Sequence, residues 1–150
     1  MKIRTSVQNF ALLFGIVYAL VGALGFVPGL LQPAPAEAPV LVVDTSYGYL
    51  LGIFPVNALH NLVHILTGLM GIVGSRVARS AQLYSRSVAI IFGVLTIMGL
   101  VPGLNTTLGL IPIFGADVVL HALTTLAASY FGWFAGDARL ARARPIEARS

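Results

Sequence analysis

Hydrophobic residues gather into four long runs, at roughly 9–30, 50–74, 87–104 and 110–134, instead of alternating along short strands. A helix that crosses a bilayer needs about 20 apolar residues, and the third run stands near the lower limit. Pro and Gly punctuate the runs: "FVPGL" at 26–30 and "LVPGL" at 100–104 predict helix ends near one surface. The "FP" at 54–55 and "IP" at 111–112 predict the opening turns of the next helices, where Pro is tolerated. The Pro-rich stretch 31–49 is the candidate for irregular structure, with "PVLVVD" at 39–44 reading as a short strand or interfacial segment. The charged start and the "APA" at 34–36 resemble a signal peptide, but the first run is longer than an ordinary h-region. A retained helix is expected.

Charge orients this map. Lys2 and Arg4 precede the first run, Arg76, Arg79 and Arg86 lie between the second and third, and Arg139, Arg142, Arg144 and Arg149 follow the fourth. The other two connections carry Glu37 and Asp44 and no cation. By the positive-inside rule, both termini and the middle loop are cytoplasmic. The net charge of +4 is therefore a topology signal, and no nucleic-acid partner is inferred. The tail 137–150 reads as a basic anchor at an anionic membrane surface. Tyr47, Tyr49, Tyr130, Trp133 and Phe134 suit the two aromatic belts. Composition agrees: 57% of the chain is apolar and 9% charged, against about a quarter charged in soluble domains. Cysteine is absent, which excludes disulfides, thiolate metal sites and a cysteine nucleophile.

The runs also repeat. "LGIFPVNALHNLVH" at 51–64 aligns without a gap on "LGLIPIFGADVVLH" at 108–121, pairing His64 with His121 and His60 with Asp117. "FGIV" at 14–17 resembles "FGVL" at 92–95. The expected architecture is all-α: an integral membrane four-helix bundle made of two pseudo-repeated helical hairpins, residues 1–150 forming one domain. Two spans per copy imply a pseudo-two-fold axis along the membrane normal.

Candidate chemistry lies inside the runs. At 100° per residue, Asn57, His60, Asn61, His64, Thr67, Gly71 and Ser75 share about 120° of one helix surface. Asp117, His121, Thr124 and Ala128 form a similar stripe. Lipid offers no hydrogen bonds, so both stripes are expected to face inward and meet. Four uses of such a site are open. His64 and His121 would suit the two faces of a haem, or one of them the magnesium of a chlorophyll. The small residues Ala11, Gly15, Ala19 and Gly22 give either room for a flat ring or close helix packing. His60, His64, Asp117 and His121 form a nitrogen and oxygen set suited to zinc or iron, with Asn57 and Asn61 as partners fixing the imidazole tautomers. The same residues would serve as polar glue between helices, or as a proton or ion path.

"LLGIFPVNALHNLVHILTGLMGI" at 50–72, followed by a second hairpin with "DVVLH", resembles a family of small four-span bacterial membrane proteins, found in actinobacteria and cyanobacteria and described as a domain of unknown function. The resemblance implies the four-span topology and the importance of His60, His64, Asp117 and His121. Phe114 and Val118 stand where the family pattern carries Asn, which places more weight on Asn57 and Asn61. The function expected is a non-catalytic accessory subunit of a photosynthetic or respiratory complex, in the bacterial inner membrane or a thylakoid, with the lipid bilayer and other subunits as partners. A stand-alone metal- or haem-dependent oxidoreductase and a small proton or ion carrier are the competing classes.

Overall fold

The structure, a computed structural model, describes residues 4–135. Four helices dominate it: α1 (Ser6–Leu24), α2 (Ala58–Gly74), α3 (Ala78–Leu100) and α4 (Ala116–Ser129), the last running on into a π-helical turn, Tyr130–Phe134. Thr5 starts α1 through a capping box, its Oγ1 accepting from the Gln8 backbone at 3.4 Å while Gln8 Oε1 accepts from the Thr5 backbone at 3.1 Å. Both orphan donors are thereby satisfied. Gln8 Nε2 also donates to the Ser75 carbonyl at 2.9 Å, tying the start of α1 to the end of α2.

α1 packs chiefly on α2, and α3 on α4. The first contact is made by glycine. A Cβ on Gly15 would stand 2.6 Å from the Gly68 carbonyl and from the Ile72 nitrogen, and one on Gly22 2.8 Å from the Ile65 nitrogen. Small residues let backbones approach this closely, the packing solution of helices in lipid. The Gly15/Gly22 face thus meets the backbone of α2 directly, and this resolves the choice between a ring and close packing in favour of packing. Tyr18, Tyr84, Val88 and Phe92 fill the space inside the bundle with Val7, Ala11 and Ala128. Phe14 stacks on Tyr18 at 4.1 Å between ring centroids.

Polarity is inverted relative to a soluble bundle. Asn57, Asn61, Asp117, His121, Ser75 and Ser85 are among the largest fully buried side chains, while Leu62, Leu66, Met70, Ile90, Ile97 and Leu126 are exposed. α1 and α3 are long and apolar enough to cross a membrane, and the apolar α2, at 17 residues, is shorter.

Several boundaries differ from expectation, for local reasons. The first run stops being helical at Leu24, and Pro28–Leu30 form a single 3-10 turn. The second and fourth runs begin as non-helical chain. Pro55 lies in a strand and Pro112 in the turn region before α4, so neither opens a helix. Strands β1 (Leu31–Gln32), β2 (Gly48–Leu50) and β3 (Phe54–Val56) form a small antiparallel sheet in that order. The "PVLVVD" segment is not a strand; it joins the 105–115 turns instead, Val42 donating to the Gly109 carbonyl at 2.8 Å. The third run starts at Ala78 rather than 87, placing Arg79 and Arg86 inside the helix. Arg86 is accommodated because its Nε donates to the Gly132 carbonyl at 2.9 Å and its guanidinium lies over Trp133, 5.5 Å from the ring centroid. Lys2 and the tail 137–150 lie outside the described residues.

Candidate metal centre

The centre is assembled by one asparagine. Asn57, wholly buried, is the N-cap of α2: its Oδ1 accepts from the His60 backbone at 2.8 Å. Its Nδ2 donates to the carbonyls of Val43 and Leu110, both at 2.7 Å. One amide thus closes the 31–49 segment, the 105–115 turns and the first turn of α2 onto each other. His60 follows three residues after the cap, and His64 stands one turn further along the same face. On the other side, Gly115 adopts a φ of +65° just before α4, which puts Asp117 in the first turn. A carboxylate is favoured there by the unpaired N–H groups of the helix start. His121 sits one turn beyond.

The three imidazoles converge, with the Asp117 carboxylate beside two of them. One nitrogen from each of His60, His64 and His121 lies within 4.8 Å of the others. Asp117 Oδ2 stands 3.4 Å from His121 Nε2 and 3.9 Å from His60 Nε2. All four residues are at most 3% exposed. Tyr18 packs edge-on against His64, and Phe92 against His121, each at 4.9 Å between centroids. Tyr18 Oη shares a 2.8 Å hydrogen bond with Thr124 Oγ1, which fixes the aromatic wall.

Partners are missing where burial demands them. His60 Nδ1, both nitrogens of His64, His121 Nδ1 and Asp117 Oδ2 are buried without a hydrogen bond. Each such atom costs about 1–3 kcal/mol, so the cluster is costly to bury as it stands. Metal–nitrogen bonds of about 2.0–2.1 Å put tetrahedral ligand atoms about 3.3 Å apart. The three imidazoles need to draw in only modestly to reach that spacing.

Asn57 and Asn61 do not act as expected. Asn61 Nδ2 donates to the Gly25 carbonyl at 2.7 Å, closing the end of α1 against α2. Both amides therefore satisfy backbone carbonyls at chain turns rather than imidazoles, because the helix ends supply unpaired groups nearer to them. Tyr18 and Phe92 escaped the sequence reading. A signal existed for each: Tyr18 is the lone tyrosine inside the first run, and Phe92 opens the "FGVL" that resembles "FGIV".

A cavity of about 350 Å³ leads away from the centre between α2 and α3. His60, His64 and His121 line one end, with Thr67 and Met70 of α2 facing Leu83, Ser87 and Ile91 of α3 along its length. Met70, Leu83 and Ile91 are more than half exposed, so the cavity opens sideways through apolar side chains.

Fold and centre together define a small helical protein, apolar outside and polar inside, built around a buried His/Asp cluster. The chain belongs to the family described as Domain of unknown function (DUF4383), whose model matches residues 8–134. No curated protein and no solved structure matches it.

Proposed function

We propose that this is an integral membrane four-helix bundle in which His60, His64 and His121, with Asp117, bind one divalent transition-metal ion, zinc or iron. The observation that carries the reading is a set of three buried imidazoles, one nitrogen of each within 4.8 Å of the others, with four of their ring nitrogens unpartnered. Polar glue between helices would pair these groups fully, whereas the Asp117 contacts to His121 and His60 are long, at 3.4 and 3.9 Å, and neither nitrogen of His64 has a partner. A haem held between His64 and His121 needs a flat slot between the two rings. Tyr18 and Phe92 press against those imidazoles, and His60 lies 4.4 Å from His64. This crowding supports an ion over a macrocycle.

The role is binding rather than water-driven catalysis, in keeping with an accessory subunit of a larger membrane complex. The ligands are sealed from water, and the open approach described above runs through apolar side chains. In this reading the exposed apolar faces meet lipid and the 31–49 strap faces outward. The site then lies beneath the outer surface, where an unpaired charge would be expensive and a bound cation offsets Asp117.

The test is mild purification followed by elemental analysis and a visible spectrum. About one zinc or iron per chain without a Soret band is expected, with His64→Ala and His121→Ala each losing the ion. A Soret band lost in the same variants would replace the ion with haem. A colourless, metal-free protein would sink the proposal.

A further inference from the structure

We propose that Arg86 and Trp133 form a binding site for the phosphate of an anionic phospholipid in the inner leaflet. The inference rests on the membrane-spanning part of the reading above and is independent of the ion. A span takes about 20 residues, and counting back from the end of α3 at Leu100 puts the inner hydrocarbon boundary near Ala81. Arg86 lies about five residues inside that boundary, about 7.5 Å at 1.5 Å per residue. Side chains on a helix lean toward its N-terminus. Since α3 begins on the inner side in this reading, Arg86 leans toward the headgroups. Trp133, 38% exposed, suits that level as well.

The guanidinium is held along one edge. Its Nε donates to the Gly132 carbonyl at 2.9 Å, and its central carbon stands 5.5 Å from the Trp133 ring centroid. Glycine makes the approach possible, because a Cβ on Gly132 would come within 3.0 Å of Arg86 Cγ and 3.2 Å of its backbone nitrogen. The carbonyl is presented by the π-helical turn Tyr130–Phe134, a distortion that recurs at functional sites. Arginine has five N–H donors, and Nε uses one. Among the described residues none accepts from the other four, and none forms an ion pair with Arg86. A cation without a counter-charge at this depth is expensive, and the free edge of the fork matches two oxygens of one phosphate. Charge then selects the headgroup. The acidic residues described are Glu37, Asp44 and Asp117, all placed toward the outer side, so an ammonium headgroup meets no described carboxylate here. Exposed Arg76 and Arg79 add positive charge on the inner side. A phosphodiester without an ammonium, as in phosphatidylglycerol, is therefore preferred over phosphatidylcholine.

Trp133 is the sole tryptophan of the chain, so its fluorescence reports on the site directly. The full chain in phosphatidylcholine bilayers is titrated with phosphatidylglycerol carrying brominated acyl chains, which quench indole on contact. Brominated phosphatidylcholine is the reference. A preference of about fivefold for phosphatidylglycerol is expected, the increment of one interfacial cation. Arg86→Gln and Arg86→Lys are each expected to remove most of it, the second because an ammonium lacks the planar fork. Two variants guard against one failing to fold, with helicity and thermal unfolding compared alongside. Arg79→Gln removes the same charge about two turns away on the same helix face and should leave most of the preference. Equal quenching by the two lipids overturns the site. Equal losses in Arg79→Gln and Arg86→Gln replace it with diffuse surface charge, and relief of quenching by millimolar inorganic phosphate replaces it with a free-anion site. Quenching by neither lipid overturns the membrane reading itself.

Discussion

Asn57 shows how much a single side chain organises here. It satisfies the first turn of α2 and two carbonyls from segments 14 and 53 residues away, all in a wholly buried position. Removing a cap costs about 1 kcal/mol, and each buried carbonyl left without its donor about 1–3 kcal/mol more. Asn57→Ala is therefore expected to destabilise the protein by about 3–7 kcal/mol, read as a loss of thermal stability in detergent. Asn57→Asp keeps the cap acceptor and loses both donors, so it should recover only the cap's share. Asp117 makes a different case, because in the proposed metal site it would contribute charge to the ion. Asp117→Asn preserves shape and is expected to weaken metal binding about 10–100-fold, measured by competition with a chelator, with little loss of fold. An unchanged affinity would remove Asp117 from the ligand set. The stripe spacing in the sequence made His60, His64, Asp117 and His121 legible. It did not reveal that Asn57 and Asn61 serve the backbone, since their partners at Val43, Leu110 and Gly25 are distant along the chain.

Among the elements, the α1–α2 pair is held by the absence of side chains. A Cβ on Gly15 would press on the Gly68 carbonyl at 2.6 Å, and backbone cannot yield as a flexible side chain does. Gly15→Val is expected to cost at least about 1–3 kcal/mol through overpacking. Gly29→Ala should fall within about 0.5 kcal/mol of the parent, because nothing stands within 4 Å of its added carbon. Equal stability of the two variants, compared by thermal unfolding in one detergent, would refute the close approach. The π-helical turn at the end of α4 has its own logic. It presents the Gly132 carbonyl to both Arg86 Nε and Gln82 Nε2, at 2.9 and 3.3 Å. A cation that the sequence pattern assigned to a loop is thereby held within α3. Apolar runs located the helices, but their ends were set by turn chemistry that periodicity does not carry. Pro55 and Pro112 precede α2 and α4 by several residues because the Asn57 cap starts α2 and the turn at Gly115 starts α4.

Seen as a whole, the molecule buries its polar groups and displays its apolar ones, the arrangement that suits a hydrocarbon solvent. The absence of cysteine makes the orientation directly testable. Glu37→Cys, on the exposed outer strap, is expected to react with a membrane-impermeant maleimide in intact cells. Arg76→Cys, exposed between α2 and α3, should react only after lysis. Labelling of both from one side would reverse or dismantle the proposed topology. By itself the sequence determined what is local and periodic: four apolar runs, cations confined to alternate gaps between them, and two polar stripes repeating with the helical turn. Tertiary structure decided what depends on how distant segments meet. Three imidazoles come together beside a carboxylate because glycine faces bring α1 against α2, Tyr18 and Phe92 wall the centre, and Asn57 closes two distant segments over it. Periodicity places a residue on a helix face, whereas the distance between faces is set by the packing of whole helices.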